Sequence, residues 1–138
     1  MSLYTTITFN RLITNINIGI AKRNKYVKVP FCKFNGKILE CLCRLGYIES
    51  YKLINLNNKL DFLVIFKFDV NGKQCLQNLR SIRYLDRQRN LKNKLFKNLI
   101  KGQKIFKGTW LVYTFDTILT DDEALIRNLS GIRFLLII

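Results

Sequence analysis

The sequence predicts an α+β protein of two small lobes, and three observations support this fold class. Its 138 residues are 49% hydrophobic, which is enough apolar material for a packed core in one domain or in two small lobes. Apolar residues recur at helical spacing in some segments and alternate or run together in others, and Gly, Pro and Asn separate these segments. We expect a helix-strand-helix-strand-strand lobe at 1–72, a basic helical connector at 73–108, and a lobe of mixed strands and short helices at 109–138.

Periodicity places a helix and a short strand at the start of the N-terminal lobe. The helix should end near Gly19, where a basic cluster at 22–25 suits the negative end of its dipole. The alternating residues 26–29 then indicate a strand that stops at Pro30, which lacks the N–H that a ladder needs. The apolar face of the helix consists of Phe9, Leu12, Ile13, Ile16 and Ile20.

A second helix and two strands complete this lobe. The apolar spacing predicts a helix over 33–45, and Gly46 supplies the left-handed position that commonly ends a helix. A half-buried strand is expected at 47–54, followed by an Asn-Asn turn at 57–58. The aromatic and β-branched run 62–68 is the strongest strand prediction in the chain.

The middle of the chain is almost uniformly basic. Residues 80–107 contain ten Lys or Arg residues and one acid, and apolar residues recur at helical spacing within 91–100, so we predict a basic amphipathic helix with a flanking loop. An ordinary solvated face usually mixes both charge signs, so contact with phosphates is the favoured interpretation, with a membrane-surface helix as the alternative. The residues of this stretch predicted to make such contacts are Arg83, Arg87, Arg89 and Lys92.

The C-terminal segment predicts two strands and one capped helix. Residues 109–113 have a strand-like composition, and the apolar run 134–138 indicates a buried terminal strand. Between them, Thr120 and Glu123 are spaced as a capping box, and the acids at 121–123 suit the positive end of a helix dipole. Capping therefore explains this acidic cluster better than a metal site or an acid–base pair does.

The net charge points to a polyanionic partner. It is +15, from 24 basic and 9 acidic residues, and nucleic acid is the commonest polyanion to neutralise such an excess. Acidic proteins and anionic lipid remain alternatives. The longest uncharged runs, of about ten residues, are too short to span a bilayer as a helix. The N-terminus lacks the pattern of a secretory signal or a transit peptide.

Neither a metal site nor a catalytic site is expected. The four cysteines form no Cys-x-x-Cys pair and the chain has no histidine. On a helix Cys41 and Cys43 would lie about 200° apart and could not bind one ion together. We interpret the cysteines as buried apolar residues in a reducing compartment, with a disulfide left open. No nucleophile–base pair and no Gly-rich phosphate loop is evident, so we predict no enzymatic activity and no cofactor.

Three motifs in the right order resemble the S8 family of small-subunit ribosomal proteins. Residues 113–124 read YTFDTILTDDEA and are followed, after five residues, by Ser130-Gly131, which resembles the family's Ser-Thr-Ser-basic-Gly loop, Thr-Asp-x-Glu-Ala motif and Gly-Gly pair. VPFCK at 29–33 is similar to its apolar-x-Pro-x-Ser-Lys motif, and LGYIESY at 45–51 to its Gly-Tyr-Ile-x-x-Tyr motif. The resemblance is weakest at 82–101.

The resemblance implies a two-lobed α+β protein without catalytic activity. Such a protein binds directly to the central domain of the small-subunit rRNA and helps that domain fold. Thr114 then matches the central Thr of the loop, and Thr120 and Glu123 hold the helix that follows. Ser130 and Gly131 match the paired glycines. Pro30 and Lys33 match a contact corner of the N-terminal lobe.

Four residues of the loop depart from the family pattern. Tyr113 and Phe115 replace the serines, Asp116 replaces a basic residue, and Thr117 replaces Gly. One hypothesis is that Tyr113 or Phe115 stacks on an unpaired base while 80–107 neutralises phosphates; the equally weighted alternative is that both aromatics are strand core. The full set predicted to bind RNA is Pro30, Lys33, Arg83, Arg87, Arg89, Lys92, Tyr113, Thr114, Phe115, Thr117, Thr120, Glu123, Ser130 and Gly131.

The expected partners are small-subunit rRNA and neighbouring small-subunit ribosomal proteins, without a membrane or a small-molecule substrate. The abundance of Asn, Lys, Ile and Leu suggests an AT-rich organellar gene, and a chain without a transit segment fits synthesis inside the organelle. A mitochondrial ribosome is therefore expected, with a plastid-type or bacterial ribosome as the fallback. The alternative function is a free-standing RNA-binding or ribosome assembly factor.

Overall fold

The computed structural model confirms the predicted α+β class with two lobes, and it describes residues 3–81, 109–114, 117–129 and 131–138. The chain divides into two compact units, Met1–Leu79 and Arg80–Ile138. Most of the predicted connector lies outside the described residues, so its boundaries at 72 and 108 stay predictions. The predicted basic helix lies outside them too, and only Arg80 and Ser81 of that stretch are described, in a short strand.

The first unit has the predicted order of helix, strand, helix, strand, strand. Its three antiparallel strands form a sheet in the order β1-β3-β2, so the third strand lies in the centre. Asn57 and Asn58 both have positive φ, 51° and 61°, which confirms the tight turn between β2 and β3. The elements are α1 (Leu3–Ala21), β1 (Tyr26–Pro30), α2 (Lys33–Arg44), β2 (Ile48–Leu56) and β3 (Lys59–Phe66).

The core of this unit lies between the two helices and one face of the sheet. Burial alternates along β3, with Phe62, Val64 and Phe66 buried and the residues between them half-buried. The predicted apolar face of α1 is buried at Phe9, Leu12, Ile13 and Ile16, and α2 contributes Ile38, Leu39 and Leu42. Burying such aliphatic side chains stabilises the fold by roughly 1.5–3 kcal/mol each.

The first helix is longer than predicted at both ends. It begins at Leu3 and continues past Gly19 to Ala21. Gly19 does not end the helix; it allows close packing, because a Cβ there would lie 3.0 Å from the Phe66 ring and 3.3 Å from Val27. A glycine inside a helix is thus explained by tertiary contact with the sheet.

The second unit contains a four-stranded sheet in the order β4-β7-β5-β6. The terminal strand β7 is buried at 133–137, which confirms the predicted buried strand, although it begins earlier, at Ile132. Strand β6 was not predicted, and Thr117, its first residue, was assigned to the loop. The elements are β4 (Leu79–Ser81), β5 (Thr109–Thr114), β6 (Thr117–Thr120), α3 (Asp121–Ile126) and β7 (Ile132–Ile137).

All four cysteines lie in the described part of the chain and are free thiols; Cys32 and Cys41 are buried, and Cys43 and Cys75 are half-buried. No cluster of metal-binding side chains occurs among the described residues. Within the same residues, none of the helices combines the length and the apolar character needed to cross a bilayer.

Candidate nucleic-acid interface

The predicted contact corner of the first unit lies where β1 ends and α2 begins. Pro30 is half-buried at the end of β1, and Lys33 is exposed as the first residue of α2. Asn35 is fully buried and its Nδ2 donates 3.2 Å hydrogen bonds to the carbonyl oxygens of Pro30 and Thr8. This amide therefore fixes the corner against α1, while the Lys33 side chain reaches solvent.

The N-terminus of α2 presents uncompensated positive potential. No acidic residue occurs in its first turn, and Lys33 and Lys37 are exposed one turn apart on the same face. Burial alone would raise the pKa of the Cys32 thiol, but the backbone N–H groups of Phe34 and Asn35 and the hydroxyls of Thr8 and Thr5 together lower it. The Cys32 side chain forms no N-cap hydrogen bond with α2. The exposed lysines make the solvent side of this corner suited to an anion.

The predicted loop of the second unit is the end of the β5–β6 hairpin. Thr114 and Thr117 are paired across the hairpin, with their Oγ1 atoms 3.0 Å apart, and the Thr117 hydroxyl donates to the Thr114 carbonyl at 2.8 Å. Thr114 is only 2% exposed, whereas Thr117 is exposed. The two threonines therefore have different surroundings, although the sequence placed both at the RNA.

Tyr113 lies in the central part of this sheet. It is half-buried in β5, opposite Ile118 of β6 and Ile132 of β7 in register. This is a strand position, and the choice between base stacking and strand core stays open. Phe115, the other aromatic residue of the hypothesis, lies outside the described residues.

Thr120 and Glu123 form the predicted N-terminus of α3. The Thr120 hydroxyl accepts a hydrogen bond from the Glu123 backbone N–H at 3.2 Å, which confirms the N-cap. Thr120 is 5% exposed and Glu123 is half-buried. Burial, and then the Asp122 carboxylate, raise the pKa of Asp121, while Arg133 acts in the opposite direction.

Gly131 packs directly against the hairpin. A Cβ on this residue would overlap the Thr114 methyl group and lie 2.5 Å from the Tyr113 carbonyl oxygen and 2.6 Å from Val112 Cγ1. Only a residue without a side chain fits there. The structure thus brings together Gly131, Thr114 and Thr117. Pro30 and Lys33 belong to the other unit.

Six predicted contact residues lie outside the described part of the chain: Arg83, Arg87, Arg89, Lys92, Phe115 and Ser130.

The sequence reasoning also missed a buried cation. Arg133 is 8% exposed in β7, and its guanidinium lies 5.1 Å from the centre of the Trp110 ring. Burial lowers the pKa of Arg133, and Asp121 partly restores it. A basic residue within an apolar terminal strand was the available signal.

Comparison with known proteins agrees with these motifs. The model of the family described as ribosomal protein S8 matches residues 8–137. A small ribosomal subunit protein uS8 of Wolinella succinogenes is 28% identical over 125 residues, covering 86% of this chain and 88% of the relative. The uS8 of a Nitratiruptor species is 30% identical over 121 residues, with the same coverage. The uS8c of Pleurastrum terricola is 26% identical over 140 residues, covering 90% of this chain and 92% of the relative. With nearly its whole length matched, the chain belongs to the ribosomal protein S8 family.

Proposed function

We propose that this chain is a structural constituent of the small ribosomal subunit that binds directly to the central domain of small-subunit rRNA and supports its assembly. The observation that carries the proposal is the family match over residues 8–137. The net charge of +15 supports it, because rRNA would neutralise this excess in the assembled particle. In this role the protein positions RNA and performs no catalysis.

The geometry supports a division of labour among the predicted contact residues. Thr117 and Lys33 are exposed and are proposed to touch sugar or phosphate oxygens. Thr114, Thr120 and Gly131 are proposed to act indirectly, because the two threonines are buried and Gly131 packs against the hairpin. They hold the paired residues Thr114 and Thr117 in place.

The test is binding of the purified chain to a central-domain rRNA fragment over a salt series, with unrelated duplex RNA as competitor. Saturable binding that survives excess competitor is expected, with an affinity that falls steeply as salt rises. Thr117→Ala should weaken binding severalfold if a hydrogen bond to the RNA is lost. Lys33→Gln should reduce the salt slope by about one phosphate contact. Lys59→Gln is the matched control, since Lys59 is equally exposed but lies at the β2–β3 turn.

Equal affinity for the fragment and for the duplex would reject the proposal and leave only a generic polycation. Co-sedimentation separates a ribosomal constituent from an assembly factor. A constituent stays with small subunits in high salt, whereas a factor is released.

The proposed location is a mitochondrial ribosome, inferred from the Asn-, Lys- and Ile-rich composition. The relatives include bacterial proteins and the uS8c of Pleurastrum terricola, which is compatible with a ribosome of bacterial ancestry. Fractionation of the source cells followed by immunodetection tests the location. Recovery with plastid or bacterial ribosomes would replace the mitochondrial assignment by its fallback.

A further inference from the structure

A cleft of about 400 Å³ opens in the first unit between the end of α1 and a hairpin that follows β3. The hairpin spans residues 67–75 and is closed by a bridge between Phe68 and Gln74 and by the hydrogen bond from Cys75 N–H to the Lys67 carbonyl. The Gln74 side chain donates to the Asn24 carbonyl at 3.1 Å, which ties the hairpin to the end of α1. The volume lies within the roughly 300–1,000 Å³ of small-ligand sites.

The lining of the cleft combines cations with an aromatic ring. Arg23 from the end of α1 and Lys73 from the hairpin supply two positive charges, and none of the described residues that line the cleft is acidic. Phe68 lines the same cleft and is 38% exposed, while Ile20 and Leu76 add apolar surface. The surface is thus suited to a ligand that has both a flat apolar part and an anionic part.

The carboxylate of this hairpin, Asp69, is engaged within its own turn. Asp69 Oδ1 accepts hydrogen bonds from the backbone N–H groups of Asn71 at 2.9 Å and Lys73 at 2.8 Å. Gly72, with φ of +80°, lets the chain reverse there. Asp69 therefore shapes the hairpin, and its charge is directed to backbone amides.

Arg23 occupies a backbone position that an arginine adopts at a cost. The three helices in the described part of the chain end with the same hydrogen-bond pattern, in which one residue has a left-handed conformation. Gly46 holds that position after α2 and Asn128 after α3, the two residue types that tolerate it best. After α1 it is Arg23, with φ of 54°. Helix termination does not require an arginine here, so the guanidinium at the edge of the cleft has a separate reason to be there.

We propose that this cleft binds an unpaired nucleotide of an RNA chain, with the base stacked on Phe68 and its phosphate held between Arg23 and Lys73. The neutral amides of Gln77 and Asn71 also line the cleft, are exposed and can reach the base edge. That the ligand is RNA rests on the proposed function. The preference for a flat anionic ligand rests on the lining alone.

The test measures binding of the full chain to two single-stranded RNA hexamers by fluorescence anisotropy. One is hexa-adenylate, and the other has the same sugar–phosphate backbone without bases. The abasic hexamer reports only charge attraction, including that of the basic residues elsewhere in the chain. Wild type should prefer the base-bearing hexamer about tenfold, as expected for stacking on one aromatic side chain.

The variants separate the ring from the charges. Phe68→Ala should abolish the preference for bases, and Phe68→Leu should do the same while keeping apolar volume if the alanine variant folds poorly. Arg23→Gly should weaken binding of hexa-adenylate about fivefold, whereas its melting temperature should stay equal or rise because the left-handed strain is removed. Lys22→Gln, next to Arg23 and exposed but outside the cleft lining, is the matched control and should change affinity by less than about twofold.

Wild-type protein without a preference for bases, or Phe68 and Arg23 variants that bind like wild type, would overturn the cleft proposal. Binding of the central-domain fragment is measured in parallel, so the two proposals can fail separately. Selective binding of the central-domain fragment without a preference for bases would reject the cleft proposal alone. Base preference that depends on Phe68, without selective fragment binding, removes the rRNA role and leaves a site for single-stranded RNA.

Discussion

The two helix N-termini of the candidate interface are built in opposite ways. α3 starts from Thr120, whose hydroxyl caps the helix, and all three residues of its first turn are acidic. α2 starts from Cys32, has no acid in its first turn and exposes Lys33. The acids of α3 therefore offset the positive end of its dipole, whereas the first turn of α2 contains no acid and exposes a cation. Residues around α3 should matter for stability, and those around α2 for anion binding.

The largest expected effect tests whether the residues around α3 matter for stability. Gly131→Ala places a methyl group on Thr114 and on the Tyr113 carbonyl, so it should lower the free energy of unfolding by about 3 kcal/mol. Urea denaturation of the variant measures this loss. Asn128→Gly, at a left-handed position of the same unit, should be neutral or slightly stabilising. A near-neutral Gly131→Ala would mean that β7 does not approach the hairpin this closely.

The second effect is removal of the α3 cap. Thr120→Ala leaves the Glu123 N–H without its side-chain acceptor and should lower the free energy of unfolding by about 1 kcal/mol, whereas Thr120→Ser should retain most of the stability. Thermal unfolding of both variants checks this order. If both variants unfold like wild type but bind the rRNA fragment poorly, Thr120 is a contact residue and the comparison of the two N-termini fails.

Local signals in the sequence were sufficient for much of the fold. The Thr120–Glu123 spacing, the apolar face at Phe9 to Ile16 and the 134–138 run each depend on neighbouring residues, and each was predicted correctly. Strand β6 was missed because Thr117 is fixed by hydroxyl pairing with Thr114 across the hairpin, which has no periodic signature. The helical role of Gly19 was missed for the same reason, since its cause is the Phe66 ring.

The candidate site was predictable only where it coincides with a motif. Pro30, Lys33 and the 113–124 motif came from the resemblance, but which threonine is exposed required the hairpin register. The cleft was not predictable, because it depends on the 67–75 hairpin folding against the end of α1. A basic residue at 22–25 looks, in sequence alone, like an ordinary partner of the helix dipole.

A smaller effect tests the N-terminus of α2, which begins after Cys32. Serine is a stronger N-cap than cysteine, so Cys32→Ser should raise the free energy of unfolding by about 0.5 kcal/mol at neutral pH, and Cys32→Ala should lower it. Folding lowers the pKa of the Cys32 thiol below its ordinary value of 9.0. The ionised thiol therefore stabilises the folded state, fully so above pH 9.0, and this stabilisation is lost as the pH falls through the lowered pKa. The stability advantage of Cys32→Ser over wild type, measured as the free energy of unfolding, should therefore shrink as the pH rises toward 9. A constant difference across this range would contradict the assigned donors.

The smallest effect concerns Asp121 of the α3 cluster, whose pKa is raised first by burial and then by Asp122. A carboxyl whose pKa is raised by folding favours the folded state most when protonated, so its contribution is present below the ordinary value of 3.8 and is lost as pH rises through the raised pKa. Asp121→Asn, which cannot ionise, should therefore be at least as stable as wild type at neutral pH. Its advantage should shrink as pH falls toward 4. Asp122→Asn tests the second cause, because removing this exposed carboxylate should weaken the upward shift of the Asp121 pKa. Free energies of unfolding between pH 4 and pH 7 measure both variants.

The opposite outcome is that Asp121→Asn is less stable than wild type at neutral pH. The carboxylate would then stabilise α3 through the helix dipole more than burial penalises it. The acids of α3 would in that case neutralise its N-terminus more strongly than the buried position of Asp121 suggests.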